Sequence, residues 1–139
     1  MGLHEDLEAI RQLKARYFRL MDTKQWEAFG QVFTQDATVA ASPDPDEVFR
    51  GREEIVRRVS GALREAVTVH HGHMPEIEIT GPDTARGIWA MYDFVDLPQL
   101  VLHGWGHYHE EYRREDGVWR IASTRLTRLR LDMQPKEAS

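Results

Sequence analysis

The stretch Thr84-Ala85-Arg86-Gly87-Ile88-Trp89-Ala90-Met91-Tyr92-Asp93-Phe94-Val95 decides the fold. Its odd positions are Ala85, Gly87, Trp89, Met91, Asp93 and Val95, so a period of two gathers Trp89, Met91 and Val95 on one face of a strand. The same period starts near Val67. Ile77 and Ile79 alternate with glutamates, and Gly81-Pro82-Asp83 turns the chain into the quoted strand. Downstream, another strand is expected from about Leu100 to Arg113, and Asp116-Gly117 is a strong hairpin signal. The last strand opens with Trp119 and Ile121 on one phase, then carries Leu126 on the other before Leu129 and Leu131. That slip predicts a bulge near Ser123 to Arg125.

Working back toward the start, the period changes. Leu3, Leu7, Ile10, Leu13, Tyr17, Leu20 and Met21 fall mostly at three- and four-residue spacing, an amphipathic helix with Arg and Lys opposite. Asp22-Thr23-Lys24-Gln25 reads as an N-cap with glutamine three residues on, starting a short helix that carries Trp26, Phe29 and Phe33. A short strand around Ala37 to Ala41 and a loop at Ser42-Pro43-Asp44-Pro45-Asp46 follow. Gly51 leads into a third helix with Ile55, Val59, Leu63 and Ala66 on one face. Helices first and strands second, joined as a meander, give an α+β class: a cone-shaped curved sheet, antiparallel or mixed, with the N-terminal helices packed on one face. The cone has one open, apolar mouth.

With 139 residues and no linker, repeat or low-complexity tract, residues 1–139 read as a single domain. A chain of this length buries roughly two thirds of its unfolded surface, enough for a core and a small cavity. The formal net charge is −5 with both signs interleaved, which suits solubility and argues against a nucleic-acid partner. Arg125, Arg128 and Arg130 read as a solvated strand face. The absence of cysteine removes disulfides and thiolate chemistry. The segment Met1 to Arg11 is charged, unlike a secretory signal, and no apolar run approaches the ~20 residues of a membrane span. A cytoplasmic protein with no membrane partner is the expectation.

Chemistry concentrates in the histidines. Six of the seven lie in two short segments, His70, His71 and His73, then His103, His107 and His109. Imidazole titrates near neutrality, so a cluster facing a pocket suits proton transfer or metal binding, whereas any one of them alone reads as structural. Asp93 shares its phase with Trp89, Met91 and Val95, where an ionised carboxylate is costly unless paired. A histidine on the neighbouring strand is its natural partner, since a carboxylate orients an imidazole and stabilises its charged form. The other possibility places Asp93 at a strand end in solvent. Tyr17, on the helix stripe, reads alone as a core tyrosine, and Asp22 as the cap already described.

Four segments carry a resemblance: Lys14-Ala15-Arg16-Tyr17-Phe18-Arg19-Leu20-Met21-Asp22, Val69-His70-His71-Gly72-His73-Met74-Pro75-Glu76-Ile77, Gly87-Ile88-Trp89-Ala90-Met91-Tyr92-Asp93 and Tyr112-Arg113-Arg114-Glu115-Asp116-Gly117-Val118-Trp119. In order along nearly the whole chain, they resemble the SnoaL-like branch of the nuclear transport factor 2 superfamily, within it the bile-acid dehydratases and more distantly scytalone dehydratase. The resemblance implies the cystatin-like cone fold and an active site of a tyrosine, an aspartate five residues on, a histidine in a His-x-Gly-His-x-Pro context and a strand aspartate. Those positions are Tyr17, Asp22, His70 and Asp93 here, with His73 as the second histidine of that context; His107 and His109 have no counterpart. His73, Trp89, Met91 and His107 are expected to contact substrate.

Three functions compete. The first is a cofactor-independent lyase or isomerase acting on a hydrophobic small molecule, such as a steroid-like or polycyclic ketone. His70 held by Asp93 is its base, Tyr17 donates to the substrate oxygen, and Asp22 positions Tyr17 or shares the proton. The second is a non-catalytic ligand-binding or assembly module, like the small subunits of ring-hydroxylating oxygenases. The third is a metal site at His107-Tyr108-His109, weakened because Arg113 and Arg114 stand where a cupin-type glutamate belongs. No metal or cofactor is expected. A homo-oligomer, trimer or dimer, is expected because Trp89, Trp105, Tyr108, Tyr112 and Trp119 exceed what a small pocket requires.

Overall fold

In the computed structural model, which describes residues 2–137, α1 (Leu3–Asp22), α2 (Trp26–Gly30) and α3 (Arg52–Leu63) cover one face of a six-stranded sheet. The strands are β1 (Phe33–Ala40), β2 (Val48–Arg50), β3 (Val67–Gly81), β4 (Thr84–Asp96), β5 (Leu100–Glu115) and β6 (Val118–Pro135), ordered β2-β1-β6-β5-β4-β3. The strands from β3 to β6 form the expected meander. The exception is β1, which runs parallel to β6 and makes the sheet mixed. Phe33, expected at the end of the second helix, instead starts β1. The proline-rich loop tightens into a 3-10 turn at Pro45–Glu47, where Asp44 accepts from the Asp46 N–H. Among the described residues no helix is long and apolar enough to cross a membrane.

Alternation along the long strands separates the two faces. On β4, Ala85, Gly87, Trp89, Met91, Asp93 and Val95 are buried beneath the helices. On β5 the even positions Gly104, Gly106, Tyr108, Glu110 and Tyr112 are buried with them. Four of the five aromatics expected to form an oligomer face therefore belong to the core; of that set, only Trp105 lies on the outer face.

The α1 stripe that meets this face is Ile10, Leu13, Lys14, Tyr17, Phe18, Leu20 and Met21. It departs from the periodicity reading in that Leu3 is exposed, while Asp6, Lys14 and Phe18 are buried. Tyr17, Phe29 and Phe33 close the core as an aromatic cluster with ring centroids 5.2 to 6.0 Å apart. Phe29 is 1% exposed, so its truncation to alanine is worth about 3–5 kcal/mol.

Two irregularities in the β5–β6 ladder shape the site. The register shifts once between Glu111 and Tyr112, leaving Ala122 unpaired on β6, and again between Trp105 and Gly106, leaving Leu129 unpaired. The first shift lies beside the bulge expected from the sequence. The first turns Thr124, Leu126 and Arg128 opposite inner-face residues of β5, and the second restores the original phase, so that Leu131 follows them.

Candidate active site

Asp22 is the last residue of α1, and Thr23 closes that helix with its N–H on the Arg19 carbonyl. Gln25, whose side chain caps nothing, precedes α2. Asp22 is therefore no N-cap. Its carboxylate accepts from Thr68 Oγ1 at 2.9 Å, from the His70 N–H at 2.8 Å and from His70 Nδ1 at 2.6 Å. The helix end is held this close because Phe18 packs against Gly72, where a Cβ would stand 2.6 Å from the ring. With Nδ1–H committed to the carboxylate, the Nε2 lone pair of His70 is left to act as a base.

The expected His70–Asp93 dyad does not form. The two residues are directly opposite in the β3–β4 register, but the Asp93 carboxylate is taken by Arg128 in a bidentate pair at 2.9 and 3.0 Å. Asp93 is 4% exposed, and this pairing is what makes its burial tolerable. Gly104 provides the room: a Cβ there would collide with both the guanidinium and the carboxylate. Arg128, read from sequence as part of a solvated face, instead points inward beyond the first β6 bulge.

Tyr17 and Tyr108 pack edge to face in the core, with ring centroids 6.0 Å apart. Burial, reinforced by the Glu110 charge, pushes the Tyr17 phenol above its ordinary value, and burial followed by Tyr17 does the same to Tyr108. Both are neutral hydroxyls near pH 7. Beneath them Lys14 Nζ donates to Glu110 Oε2 at 2.7 Å, and neither side chain is exposed. Burial holds the Lys14 ammonium below its ordinary value, and the Glu110 carboxylate offsets part of that. Glu110 also accepts from Tyr112, whose hydroxyl receives the Trp89 indole N–H.

A crevice of about 540 Å³ between α1 and β3 is lined by Phe18, Asp22, His70, Gly72 and Trp89 among others, with Arg19, His71 and His73 at its rim. His71 and His73 are exposed, as alternation from His70 requires. Met91 is buried on the inner face near the site without lining this crevice. His107 does not belong here: it lies on the outer face beside His109, ring centroids 6.4 Å apart. A larger hollow of about 830 Å³, lined by Glu76, Glu78, Arg86, Ile88 and His109 among others, contains none of Tyr17, Asp22, His70 or Asp93. The smaller crevice is the one lined by Asp22 and His70, while Tyr17 and Asp93 line neither. Among the described residues, no three His, Asp or Glu side chains converge as a metal-binding set.

Lys14, Glu110 and Arg128 are the site groups that the sequence reading missed. Glu110 shares its phase with Tyr108 and Tyr112, and Lys14 stands three residues before Tyr17, so both were recoverable from periodicity. Arg128 shares its phase with Leu126 beyond the first bulge, so the slip expected from the sequence was enough to turn it inward.

Comparison with known proteins agrees with this architecture. The "Probable cyclase FGR4" of Gibberella zeae is 28% identical over 133 residues, covering 86% of this chain and 89% of that protein. A candidate scytalone dehydratase from Novosphingobium aromaticivorans superposes with a TM-score of 0.84 at 18% identity, covering 91% of this chain and 86% of that one. The hexachlorocyclohexane dehydrochlorinase LinA-type3 of Novosphingobium barchaimii gives a TM-score of 0.81 at 19% identity, covering 95% and 90%. At those identities the two structures speak to the fold alone. Residues 4–125 match the model of the SnoaL-like domain, and the chain belongs to that family.

Proposed function

We propose that this protein is a cofactor-independent lyase that removes a proton and a leaving group from adjacent carbons of a hydrophobic small molecule, with a ketone beside the acidic carbon. The observation that carries the reading is the 2.6 Å contact of His70 Nδ1 with Asp22, which leaves Nε2 of a nearly buried imidazole beside an apolar crevice. His70 Nε2 takes the proton, the C–H electron pair becomes the new double bond, and the hydroxide leaves with a proton returned from the imidazolium. Water is the second product. Tyr17, packed against Phe18 of the crevice wall, is assigned the hydrogen bond to the developing oxyanion, and the Asp22 carboxylate stabilises the imidazolium. Asp93 and Arg128 form a fixed dipole on the same inner face.

The size of the crevice suits a molecule of two or three fused rings, and Phe18, Pro75 and Trp89 supply flat apolar contacts. Isomerisation uses the same base but returns the proton to another carbon. The dehydratase resemblance carried by Tyr17, Asp22, His70 and Asp93 supports elimination. The test uses bicyclic β-hydroxy ketones, following enone absorbance and, in D₂O, loss of the α-proton signal. The proposal expects catalysed exchange and enone formation by the native protein. Exchange undiminished in His70→Ala would refute it. Assembly into a homo-oligomer is proposed on a separate ground, the outer-face aromatic patch taken up in the Discussion.

A further inference from the structure

Lys14 and Glu110 have no exposed side-chain surface, so they do not touch substrate. The Lys14 ammonium nevertheless sits 3.7 Å from the Tyr17 ring centroid and 3.8 Å from that of Tyr108, one cation facing two phenol rings. Its partner Glu110 holds Tyr112 at 2.7 Å, and Tyr112 holds the indole of Trp89 at 2.9 Å. Trp89 is a wall of the crevice that contains Asp22 and His70. The pair thus reaches the site from two sides, through the tyrosines and through the tryptophan. Stability does not account for it, because an apolar pair of the same volume holds a core at least as well as a buried ion pair.

We infer that the Lys14–Glu110 pair is a positioning device that fixes the rings of Tyr17 and Tyr108 against Phe18 in the wall of the Asp22–His70 crevice. A cation on a ring face grips the π cloud and leaves the hydroxyl edge free to donate. The adjacent carboxylate cancels the cation's pull on the phenol proton, so the hydroxyls stay protonated donors. Neither half works alone: Lys14 without Glu110 is an uncompensated buried charge, and Glu110 without Lys14 repels any developing oxyanion. The inference rests on the reading that Tyr17 donates beside His70.

The test compares the native protein with the double variant Lys14→Met/Glu110→Gln, which removes both charges while keeping the stem volume and an acceptor for Tyr112. Ring-¹³C tyrosine NMR, assigned with Tyr17→Phe and Tyr108→Phe, requires no substrate. In the native protein the Lys14 ε-methylene should show cross-peaks to both rings and an upfield ring-current shift. In the variant the Tyr17 and Tyr108 signals should move or broaden while that of Tyr92 on the outer face stays. Exchange of bicyclic ketone α-protons should fall in kcat by about 10²-fold, the usual effect of a misplaced group, with KM nearly unchanged. Native-like Tyr17 and Tyr108 signals in the variant overturn the inference, as does undiminished kcat once those signals have moved. If His70→Ala keeps full exchange activity, the functional reading falls instead, and the NMR arm still supports or overturns the clamp.

Discussion

Three charged pairs join α1 to the sheet, Asp6–Arg114, Lys14–Glu110 and Asp22–His70, and the last two differ in their access to solvent. Lys14–Glu110 is sealed, with both side chains at 0% exposure. Asp22–His70 is at the crevice, with His70 at 8% and Asp22 at 20%. A sealed pair can act only through the groups it holds, whereas a pair with a free imidazole nitrogen at a cavity wall can exchange protons with a ligand. Asp93–Arg128 stands between them: its carboxylate is buried, while the guanidinium is 25% exposed. In the proposed mechanism chemistry belongs to the open pair and geometry to the sealed one, and substitutions at each should separate turnover from stability.

The largest effect is expected at the open pair. His70→Ala should lower turnover of a bicyclic β-hydroxy ketone by roughly 10²–10⁴, about 3–5 kcal/mol in the barrier. Stability should change by only about 1 kcal/mol, because Asp22 keeps its bonds to Thr68 and to the His70 backbone N–H. Asp22→Asn should follow His70→Ala, since an amide cannot stabilise the imidazolium. Asp93→Asn should leave the base intact and act through Arg128. Steady-state kinetics beside urea denaturation separate the cases; equal turnover losses without a stability difference would erase the contrast between the pairs. His71→Ala is the control and should be silent.

At the sealed pair the order reverses. Lys14→Ala strands Glu110 as an unpaired buried charge and should cost about 3–5 kcal/mol, a large share of the ~5–15 kcal/mol that holds a domain together. Lys14→Met/Glu110→Gln should recover most of that loss. Urea midpoints read both, and a double variant no more stable than Lys14→Ala would mean that the pair stabilises the fold by its charge.

A smaller effect is expected on the outer face. Tyr92 and Trp105 lie with ring centroids 5.6 Å apart, Tyr92 shares a 2.7 Å hydrogen bond with His103 Nδ1, and Phe94 flanks the same histidine. Trp105 remains 36% exposed, so a second copy of the chain has an aromatic patch to cover. Light scattering should give two or three times the 16.2 kDa chain mass at micromolar concentration, and Trp105→Glu should shift it toward one. A native mass near 16.2 kDa would remove this expectation.

Local periodicity made much of this legible. The alternation through Ala85, Trp89 and Val95 placed Asp93 on the inner face, and the same rule separated His70 from His71. What it could not supply was pairing across elements. Asp22 looked like a cap because a helix end and an aspartate usually explain each other, and only the packing of α1 against Gly72 reveals that His70 is its partner. His70 and Asp93 were correctly put on neighbouring strands and the same face, yet Arg128 arrived from β6 by way of the first bulge and took the carboxylate. Lys14 was assigned to solvent by its charge, although its spacing from Ile10 and Tyr17 placed it on the buried stripe.

The smallest effect concerns pH and again contrasts the two faces. His109 on the outer face is held below the ordinary imidazole value by burial, then by Arg125 and His107. Arg125 is its direct cross-strand partner, Thr127 Oγ1 lies 3.0 Å from Nε2, and Glu111 is the nearest acid along β5 on that face. The unfolded chain takes up a proton near pH 6.5, whereas the folded chain takes it up only at lower pH. Between those two values the unfolded state binds more protons, so stability is full above about 6.5 and declines as pH falls through that window. His109→Gln keeps a donor for Thr127 and removes the titration, so its urea midpoint should fall less between pH 7 and pH 5 than that of the native protein. Parallel profiles would show that the decline comes from other groups. The titration does not touch the Asp22–His70 pair on the inner face, so the pH dependence of turnover should be the same in native protein and His109→Gln even where their stabilities diverge.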